Sequence, residues 1–394
     1  MTSSKSLRTW LEIDAAAFTN NIKQLAKIIP NDIAVVLKSN AYGHGSLQIA
    51  KICENLEEVK WLCTAGNDEA LLLRSNNIKK PIICVSYLKD NLEESILQNI
   101  DLVIYDLQTA EKISSAACKV LKHARIHIKI DTGMSRFGIL PEDALEFVSK
   151  LQNLPYIKIV GLMSHLSDTD NIDQSFTNHQ LKVFDEVIEN LNSHSISFEQ
   201  LHIAASGAFM HPNNKKYTIT RIGGLSYALW KSDIHRQRVL NKFPELNLKP
   251  VMQWKSCISQ IKEIPADSFV GYNKTFKTTK KTKIAILPVG YFDGVSRALS
   301  NSGVILIKDQ FAPVLGIVSM NIIIVDVTGL DININDEAIL LGNKAGIRPE
   351  DWAAKLNTIT NEIVTRINPE IERKVTNSLE IQNHKKITHN FINT

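Results

Sequence analysis

The stretch IAVVL at residues 33–37, followed by KSNAYGHG at residues 38–45, contains the repeating unit that decides the fold. The unit is a continuous apolar run, a polar residue at its end and then a segment that can form a helix. Nearly continuous apolar runs are typical of strands in a parallel sheet, because helices cover both of its faces. The eight runs are Ile33–Leu37, Trp61–Cys63, Ile82–Val85, Leu102–Tyr105, Ile126–Ile130, Ile157–Met163, Leu201–Ala204 and Tyr217–Ile222.

Eight alternating units predict an α/β fold in which residues 1–240 form a closed (β/α)8 barrel rather than an open sheet. Between the sixth and seventh runs, apolar residues from Leu181 to Leu191 recur at the spacing of a helix that buries one face. Polar residues at the strand ends would gather at one rim, where barrel enzymes carry their catalytic groups. These residues are Lys38, Thr64, Ser86, Asp131, His165, Ser206 and Arg221.

After about residue 240 the pattern changes to short apolar runs separated by turn sequences such as Asp293-Gly294. This change predicts a second, mostly β domain over residues 241–374. A helix is predicted over Arg348–Asn357, because its proline and acidic residues suit a first helical turn. Residues 375–394 are polar and without a period, which predicts a loosely held tail. The predicted strands are Ser259–Ile264, Lys283–Val289, Val304–Ile307, Ile322–Val327 and Ala338–Leu341.

The composition indicates a globular protein. A chain of 394 residues has the length of about two domains. Apolar residues make up 44% and charged residues 22%, which excludes a disordered chain. No stretch approaches the ~18 uninterrupted apolar residues of a membrane span, and the first residues lead into no apolar signal core. We therefore expect a cytoplasmic protein without a membrane partner.

Charge and cysteine content give no support for a nucleic-acid-binding protein or for one with disulfides or a metal site. The net charge of +4 is spread thinly along the chain, which gives no reason to expect a nucleic-acid partner. The five cysteines are an odd number and lack the spacing of metal ligands. We interpret them as reduced, mostly packed thiols and expect neither disulfides nor a metal site.

Lys38 follows the first apolar run and would lie at the catalytic rim of the barrel. Partial desolvation lowers the pKa of an amine and makes it a nucleophile and a base, as a Schiff-base lysine requires. An isolated lysine in this position would more often be a surface residue that ends a strand. The sequence that flanks Lys38 favours the catalytic interpretation.

The segment Lys38–Gly45 resembles the pyridoxal-phosphate motif of alanine racemases, which are fold-type III enzymes. The resemblance extends almost end to end and includes Asp131–Gly138, Gly161–His165 and Leu287–Gly294. Thr9–Asp14 is similar to the family's opening strand and is assigned no catalytic role. The resemblance implies a racemase that interconverts L- and D-alanine with pyridoxal 5'-phosphate, and a homodimer with shared active sites.

The resemblance implies two catalytic bases, because racemisation needs a base on each face of a planar carbanion. Lys38 would bind the cofactor covalently and act as one base. Tyr272, within Val270–Asn273, matches the tyrosine that enters the active site of the neighbouring subunit. His165 would bind at the cofactor and lie beside this phenol. A phenol has a reference pKa of ~10, so it needs a neighbouring group in order to act as a base. A tyrosine taken alone would more often fill an interface.

Further matched residues would bind the cofactor. Ser206 and the backbone of Gly223 and Gly224 follow the seventh and eighth runs, where barrels commonly bind phosphate. Tyr42 would add a phenol to the phosphate. Arg221 matches the arginine that faces the pyridine nitrogen, and a donor that is always charged would leave that nitrogen unprotonated. Without the match, the serine and glycines would be loop residues and Arg221 a charge at a strand end.

Lys129 alternates with isoleucines in Ile126–Asp131, so it faces the barrel interior if the isoleucines pack outward. A lone buried ammonium is costly. In similar proteins this lysine is often carbamylated, which would turn it into an anion able to orient Arg136. By resemblance, Arg136 contacts the cofactor's phenolic oxygen and the substrate carboxylate. The alternative is an interior salt bridge of either cation with Asp131.

Four positions depart from the family pattern. Met320 is followed by Asn321 where an aspartate is usual, at the contacts to the substrate carboxylate. Asn361 stands in place of a tyrosine on the wall that touches the phosphate and the substrate side chain. A short amide leaves space and adds hydrogen-bonding capacity, which raises serine as a substrate beside alanine. Ile317 and Ala205 replace a usual arginine and asparagine.

Other functions are compatible with parts of the sequence. The nearest is a racemase for serine or for a broad range of amino acids. A fold-type III decarboxylase would carry a glycine-rich phosphate loop and a catalytic cysteine in the β domain, and the sequence has neither pattern. A non-catalytic cofactor-binding protein would keep Lys38 but need neither Tyr272 nor a second domain. Asn321 and Asn361 would also be compatible with a folded but slow racemase.

Overall fold

A nearly closed parallel barrel forms the first part of the computed structural model, which describes residues 8–203 and 216–378. The eight strands of the barrel are β2 (Asp32–Val36), β3 (Val59–Gly66), β4 (Ile82–Tyr87), β5 (Ile100–Ile104), β6 (Ala124–Lys129), β7 (Ile157–Met163), β8 (Gln200–His202) and β9 (Ile219–Ile222). Their order in the sheet is β8-β7-β6-β5-β4-β3-β2-β9. Between the two edge strands, the Thr218 N–H donates to the Leu201 carbonyl oxygen at 2.9 Å. The predicted (β/α)8 fold is confirmed.

Helices connect the strands and cover the outside of the barrel. The helix predicted between the sixth and seventh runs spans Ser175–Ser193 and buries Leu181, Phe184 and Leu191. A short turn after β2, labelled α2, carries Lys38 and has an unusual backbone that is described with the site. The helices are α1 (Ala15–Ile28), α2 (Lys38–Tyr42), α3 (Ser46–Glu54), α4 (Asn67–Ser75), α5 (Leu92–Leu97), α6 (Leu107–Lys119), α7 (Ala144–Gln152), α8 (Ser175–Ser193) and α9 (Asp233–Lys242).

Local sequence fixes where several of these elements begin. Asp14 precedes α1, and its carboxylate accepts the Ala17 N–H at 2.8 Å. Asp106 precedes α6, and its carboxylate accepts the Thr109 N–H at 2.7 Å. These are N-caps, which satisfy backbone donors that a helix leaves without a partner in its first turn. All five residues of β5 are buried, as expected of a strand covered by helices on one face and by the barrel interior on the other.

A mostly β domain follows the barrel, as predicted. Its strands are β1 (Thr9–Asp14), β10 (Met252–Cys257), β11 (Gln260–Ile264), β12 (Phe269–Val270), β13 (Phe276–Lys277), β14 (Thr282–Leu287), β15 (Val304–Ile307), β16 (Gln310–Pro313), β17 (Ile323–Asp326), β18 (Glu337–Leu341) and β19 (Arg373–Thr376). They form three sheets, with the strand orders β16-β15-β18-β10-β1-β19, β11-β14-β17 and β12-β13. The helices of this part are α10 (Pro349–Lys355) and α11 (Thr360–Thr365), and the 3-10 turns used below are Gly224–Tyr227, Tyr272–Lys274 and Tyr291–Asp293. The helix predicted from Arg348 therefore begins one residue later.

The opening strand β1 belongs to the six-stranded sheet of the β domain and not to the barrel. It pairs antiparallel with β10, where Leu11 faces Trp254, and parallel with β19, where Leu11 faces Arg373. Strand β19 includes Val375 and Thr376, which the sequence assigns to the tail. The two ends of the described chain thus meet in one sheet. Strand pairing across more than 200 residues is set by tertiary packing and not by a local pattern.

Apolar side chains from the barrel and from the six-stranded sheet form one continuous core, which includes Leu62 of β3 and Trp254 of β10. This shared packing keeps the β domain against the barrel. Within residues 8–203 and 216–378, no helix is both long and apolar enough to cross a membrane.

Candidate active site

A cavity of about 290 Å³ opens at the carboxyl ends of the barrel strands. Strand ends, the 3-10 turn Gly224–Tyr227 and helix α11 form its walls. Among the residues that the structure describes, the lining contains five cationic side chains and no carboxylate. A cavity with this charge suits an anionic ligand. The cations are Lys38, Lys129, Arg136, Arg221 and Lys231.

Lys38 reaches this cavity from a turn with left-handed backbone angles. Ser39, Asn40, Ala41 and Tyr42 have φ values of 55°, 55°, 50° and 53°. A left-handed conformation costs roughly 1–2 kcal/mol for each residue with a Cβ atom. A run of four such residues persists only where the surrounding structure determines it, and such strain is typical of functional sites.

Hydrogen bonds on both sides hold the strained turn. The Ala41 N–H donates to the Leu37 carbonyl oxygen at 2.7 Å, and the Ser46 N–H donates to the Asn40 side chain at 2.9 Å. The Glu69 carboxylate at the start of α4 accepts the Ser39 N–H at 3.0 Å. The same carboxylate accepts the N–H of Ala65 in β3 at 2.8 Å, so it ties the turn to the neighbouring strand. The motif around Lys38 therefore encodes a backbone shape as well as an amine.

The environment of Lys38 favours its neutral form. Burial lowers the pKa of its ammonium, and the positive charges of Arg136 and Arg221 lower it further. Lys129 is almost fully buried, and burial followed by the charges of Arg221 and Arg136 lowers its pKa to about 8. A neutral amine is a nucleophile and a base, whereas an ammonium is neither.

Lys129 faces the interior of the barrel, as the alternation of β6 predicts. Its Nζ lies 5.4 Å from the centre of the Phe137 ring. Neither Lys129 nor Arg136 forms an ion pair with Asp131 in the described part of the chain. Instead the Asp131 carboxylate accepts the backbone N–H groups of residues 133–136 at 2.9, 2.9, 3.0 and 3.2 Å. Asp131 thus shapes the loop that presents Arg136 to the cavity.

Arg221 lies at the cavity wall and is buried. Its guanidinium donates to the carbonyl oxygens of Ser164 at 2.6 Å and of His202 at 3.0 Å. It also donates to Nδ1 of His165 at 3.3 Å, which holds that ring at the rim. Burial, followed by the charge of Arg221, lowers the pKa of His165 well below its usual range. His165 is therefore a neutral ring in this site.

Tyr42 and Gly223 form another part of the cavity wall. The pKa of the Tyr42 phenol is raised by burial, so it is a neutral hydrogen-bond donor. A Cβ atom on Gly223 would lie 2.3 Å from the Tyr42 phenol oxygen. Gly224 and Asn361 of α11 also line the cavity, and a Cβ atom on Gly224 would lie 3.8 Å from Oδ1 of Asn361.

The structure does not bring every predicted residue to one cavity. Tyr272 is 67% exposed in the β domain, and Met320 and Asn321 are also exposed there. None of these three lines the cavity of its own chain. Ser206 and Ala205 lie outside the described residues.

Sequence reasoning missed several residues of this region. His127 and His202 lie inside the barrel below Arg221, and Lys231 and His235 extend the cavity wall. The alternation in β6 that places Lys129 inside also places His127 inside, because residues two apart share a face of a strand. No pattern in the sequence identifies His202, Lys231 or His235.

The fold and the cavity define a barrel protein with a lysine of lowered pKa in a cavity rich in positive charge, followed by a β domain. The model of the alanine racemase N-terminal domain matches residues 13–230, and that of the alanine racemase C-terminal domain matches residues 251–375. The chain belongs to the alanine racemase family of enzymes.

Individual relatives cover nearly the whole chain. An alanine racemase of Clostridium perfringens strain SM101 is 37% identical over 385 residues, which is 95% of this chain and 98% of that protein. The solved alanine racemase of Clostridium difficile 630 has a TM-score of 0.87 at 30% identity and covers 94% of this chain and 97% of its own. The alanine racemase of Bartonella henselae was solved with covalently bound pyridoxal phosphate, with a TM-score of 0.77, 26% identity and coverage of 94% and 99%.

Proposed function

We propose that this chain is a pyridoxal-phosphate-dependent racemase that interconverts L- and D-alanine by a two-base mechanism. The observation that supports it is the Lys38 amine, with a lowered pKa, in a cavity that contains four other cations and no carboxylate among the described residues. Pyridoxal phosphate is anionic and carries an aldehyde that reacts with amines. When bound, it supplies an electron sink that acidifies the Cα–H bond of an amino acid.

The residues of the cavity fit this cofactor. Gly223 leaves a space beside the Tyr42 phenol, and that phenol is a neutral donor suited to a phosphate oxygen. Arg221 and Arg136 supply fixed positive charges on other walls. Ser206, which follows β8 in the sequence, would add a hydroxyl, and this stays a prediction. Lys38 would hold the cofactor covalently and move a proton at one face of Cα.

The second base would come from a partner subunit. Within one chain, the exposed Tyr272 does not line the cavity. Its neighbour Gly271 packs near the backbone of Ile317. Further along the same segment, the Met320 carbonyl oxygen accepts the Phe292 N–H at 2.9 Å. Phe292 and Met320 are 55% and 54% exposed, so Tyr272 belongs to an exposed apolar face of the β domain.

Exposed apolar patches of this kind mark protein interfaces. We propose that this face forms a homodimer in which Tyr272, Met320 and Asn321 of the partner subunit complete the cavity. His165, held neutral beside Arg221, would then lie at the rim where the phenol of Tyr272 enters. Because Nδ1 of His165 accepts from Arg221, the ring hydrogen lies on Nε2, which can donate to the phenol oxygen and stabilise its deprotonated form.

Lys129 is the residue for which we propose carbamylation. Its amine would attack carbon dioxide, form a nitrogen–carbon bond and release one proton, which leaves a carbamate anion. A pKa of about 8 keeps part of the amine neutral and reactive near pH 7. The negative charge of the carbamate would balance the positive charges of Arg136 and Arg221, which have no carboxylate partner in the described lining.

Serine is a second candidate substrate, and Asn361 is the observation that favours it. Its side-chain amide lines the cavity, where a tyrosine would fill more volume. An amide can donate to and accept from a hydroxymethyl group.

A cytoplasmic location and the lack of nucleic-acid and membrane partners stay predictions from composition.

The test is to incubate L-alanine and L-serine separately with the enzyme in deuterated water and to measure chirality and α-deuterium. Inversion together with deuterium at Cα supports the racemase. Deuterium without inversion contradicts the two-base mechanism. Release of carbon dioxide indicates the decarboxylase, and neither isotope exchange nor inversion indicates a protein that only binds the cofactor.

A further inference from the structure

A line of buried polar side chains runs through the barrel interior below the cavity. It joins Asp101 on β5, His127 on β6, His202 on β8 and Arg221 on β9. The Asp101 carboxylate lies 3.2 Å from Nε2 of His127, and Nδ1 of His127 lies 3.0 Å from Nε2 of His202. Nδ1 of His202 is in hydrogen-bond contact with Nη1 of Arg221. Four strands therefore contribute to one chain of hydrogen bonds.

The chemistry of the two ends fixes the direction of every hydrogen bond. A guanidinium has only donors, so Nδ1 of His202 must accept from Arg221. Nδ1 then carries no proton, and the hydrogen of His202 lies on Nε2 and is donated to His127. His127 in turn accepts at Nδ1 and donates its Nε2 hydrogen to Asp101. Each histidine is neutral and has a single tautomer.

The anionic end of this chain is itself held in place. The Asp101 carboxylate accepts from Nε of Arg125 at 2.9 Å and from its Nη2 at 3.3 Å. At the cationic end, burial followed by the charge of Arg221 lowers the pKa of His202 well below its usual range. A second proton on His202 would place an N–H group against the guanidinium. The neutral tautomers are therefore the arrangement that satisfies all four residues.

A glycine in the neighbouring strand makes room for this chain. Gly161 of β7 lies opposite His127 in the register of the two strands. A Cβ atom on Gly161 would lie 2.1 Å from Nδ1 of His127, the atom that accepts from His202. Any side chain at position 161 would displace the ring at its hydrogen-bonding atom.

We propose that Asp101, His127 and His202 are positioning residues that hold the Arg221 guanidinium in one orientation at the cavity wall. Arg221 has no carboxylate partner among its described contacts, and the chain links it to the Asp101 carboxylate through two oriented imidazoles. The chain deepens the proposed function, because its effect on turnover requires that the enzyme is the racemase proposed above. The hydrogen-bond directions do not depend on that function.

The direct test is nuclear magnetic resonance of the holoenzyme labelled with 15N at histidine. Within the described part of the chain, His127 and His202 are the one pair of histidines in hydrogen-bond contact. We expect a scalar coupling across an N–H···N bond between Nε2 of one histidine and Nδ1 of another, with both rings neutral. Absence of this coupling, or an imidazolium in the pair at neutral pH, overturns the proposal.

The functional test compares His127→Asn with His123→Asn, a change at an exposed histidine just before β6. We expect His127→Asn to lower kcat ~10- to 100-fold with little change in KM, by analogy with the loss found when the hydrogen-bond partners of metal-ligating residues are removed. It should also shift the pH dependence of the cofactor absorbance, and His123→Asn should change neither. Unchanged kcat and absorbance in His127→Asn contradict the proposal.

The failure of this inference can be told from failure of the proposed function. An enzyme that shows the coupling but no racemisation of alanine or serine keeps the hydrogen-bond chain and refutes the function. An active racemase without the coupling refutes the chain alone. The wild-type spectrum shows whether the coupling is present even if the His127→Asn variant does not fold.

Discussion

Gly223 and Tyr42 share a space that has no room for one more carbon atom: a Cβ on Gly223 would lie 2.3 Å from the phenol oxygen and 3.0 Å from the ring carbon that carries it. Gly223 has a φ of −103°, outside the left-handed region that favours glycine. The requirement is steric, and it comes from a residue 181 positions earlier in the chain. The pair connects the turn that carries Lys38 to the end of β9.

Gly223→Ala should weaken the binding of pyridoxal phosphate, because the phenol must move out of the wall of the proposed phosphate site. Overpacking of this kind typically costs ~1–3 kcal/mol. A titration of cofactor-free protein with pyridoxal phosphate measures the change in Kd. In a Tyr42→Phe background the same change should cost less, since the nearest atom is gone. Equal affinity of Gly223→Ala and wild type would show that the space is unimportant.

Lys38→Ala should abolish turnover and remove the absorbance band that borohydride bleaches in the wild type, because the amine is the group that would bond to the cofactor. Lys51→Ala, an exposed change in α3, is the matched control and should alter neither. Chirality assays and absorbance spectra measure both effects. A borohydride-sensitive band that persists in Lys38→Ala would assign the role to another lysine.

Tyr272→Phe should keep the absorbance band but slow the reaction from one enantiomer far more than from the other. Removing a catalytic base or acid typically costs ~10²–10⁴-fold. Tyr156→Phe is the control, since Tyr156 lies just before β7 at the opposite end of the barrel. Initial rates from L- and D-alanine, together with deuterium incorporation, measure the asymmetry. Unimpaired rates from both enantiomers would remove Tyr272 from the mechanism.

The buried Lys129 should make stability depend on pH. Its pKa is about 8 in the folded protein against 10.5 for an ordinary lysine, so between these values the unfolded state binds more protons. Stability therefore rises with pH across this window, and the cost of the buried ammonium is fully present below pH 8. In carbon dioxide-free buffer, Lys129→Met should be more stable than wild type at pH 7, by at most roughly 3 kcal/mol.

Urea denaturation of the cofactor-free proteins at several pH values measures this difference. The advantage of Lys129→Met should shrink between pH 8 and about 10.5, and bicarbonate should reduce it at pH 7 by carbamylating the wild type. A difference in stability that is constant from pH 7 to 10.5 would contradict the lowered pKa. No effect of bicarbonate would contradict the carbamate.

Asn361→Tyr should lower the ratio of kcat/KM for serine to that for alanine, because a phenol fills the space beside Gly224 that a hydroxymethyl group would use. Loss of one aligned hydrogen bond and its space corresponds to roughly 10-fold. Asn361→Ala removes the hydrogen bond but keeps the space, so it separates the two causes. An unchanged ratio in both variants would exclude Asn361 as a determinant of the substrate.

Much of this protein follows from local sequence. The eight apolar runs predict the barrel because a parallel strand that is buried on both faces has consecutive apolar residues. The polar residues at the strand ends predict a rim, and Lys38, Ser86, His165 and Arg221 do line one cavity, whereas Thr64 and Asp131 do not. Strand periodicity alone places Lys129 inside the barrel, since alternate residues share a face.

Only the tertiary structure decided which residues from distant segments meet. The pairing of β1 with β10 and the contact of Gly223 with Tyr42 join segments more than 100 residues apart, and the chain from Asp101 to Arg221 joins residues of four separate strands. Sequence periodicity describes which face a residue occupies and carries no information on its partner across the barrel. That partner is set by strand order, register and close packing, which exist only once the whole chain has folded.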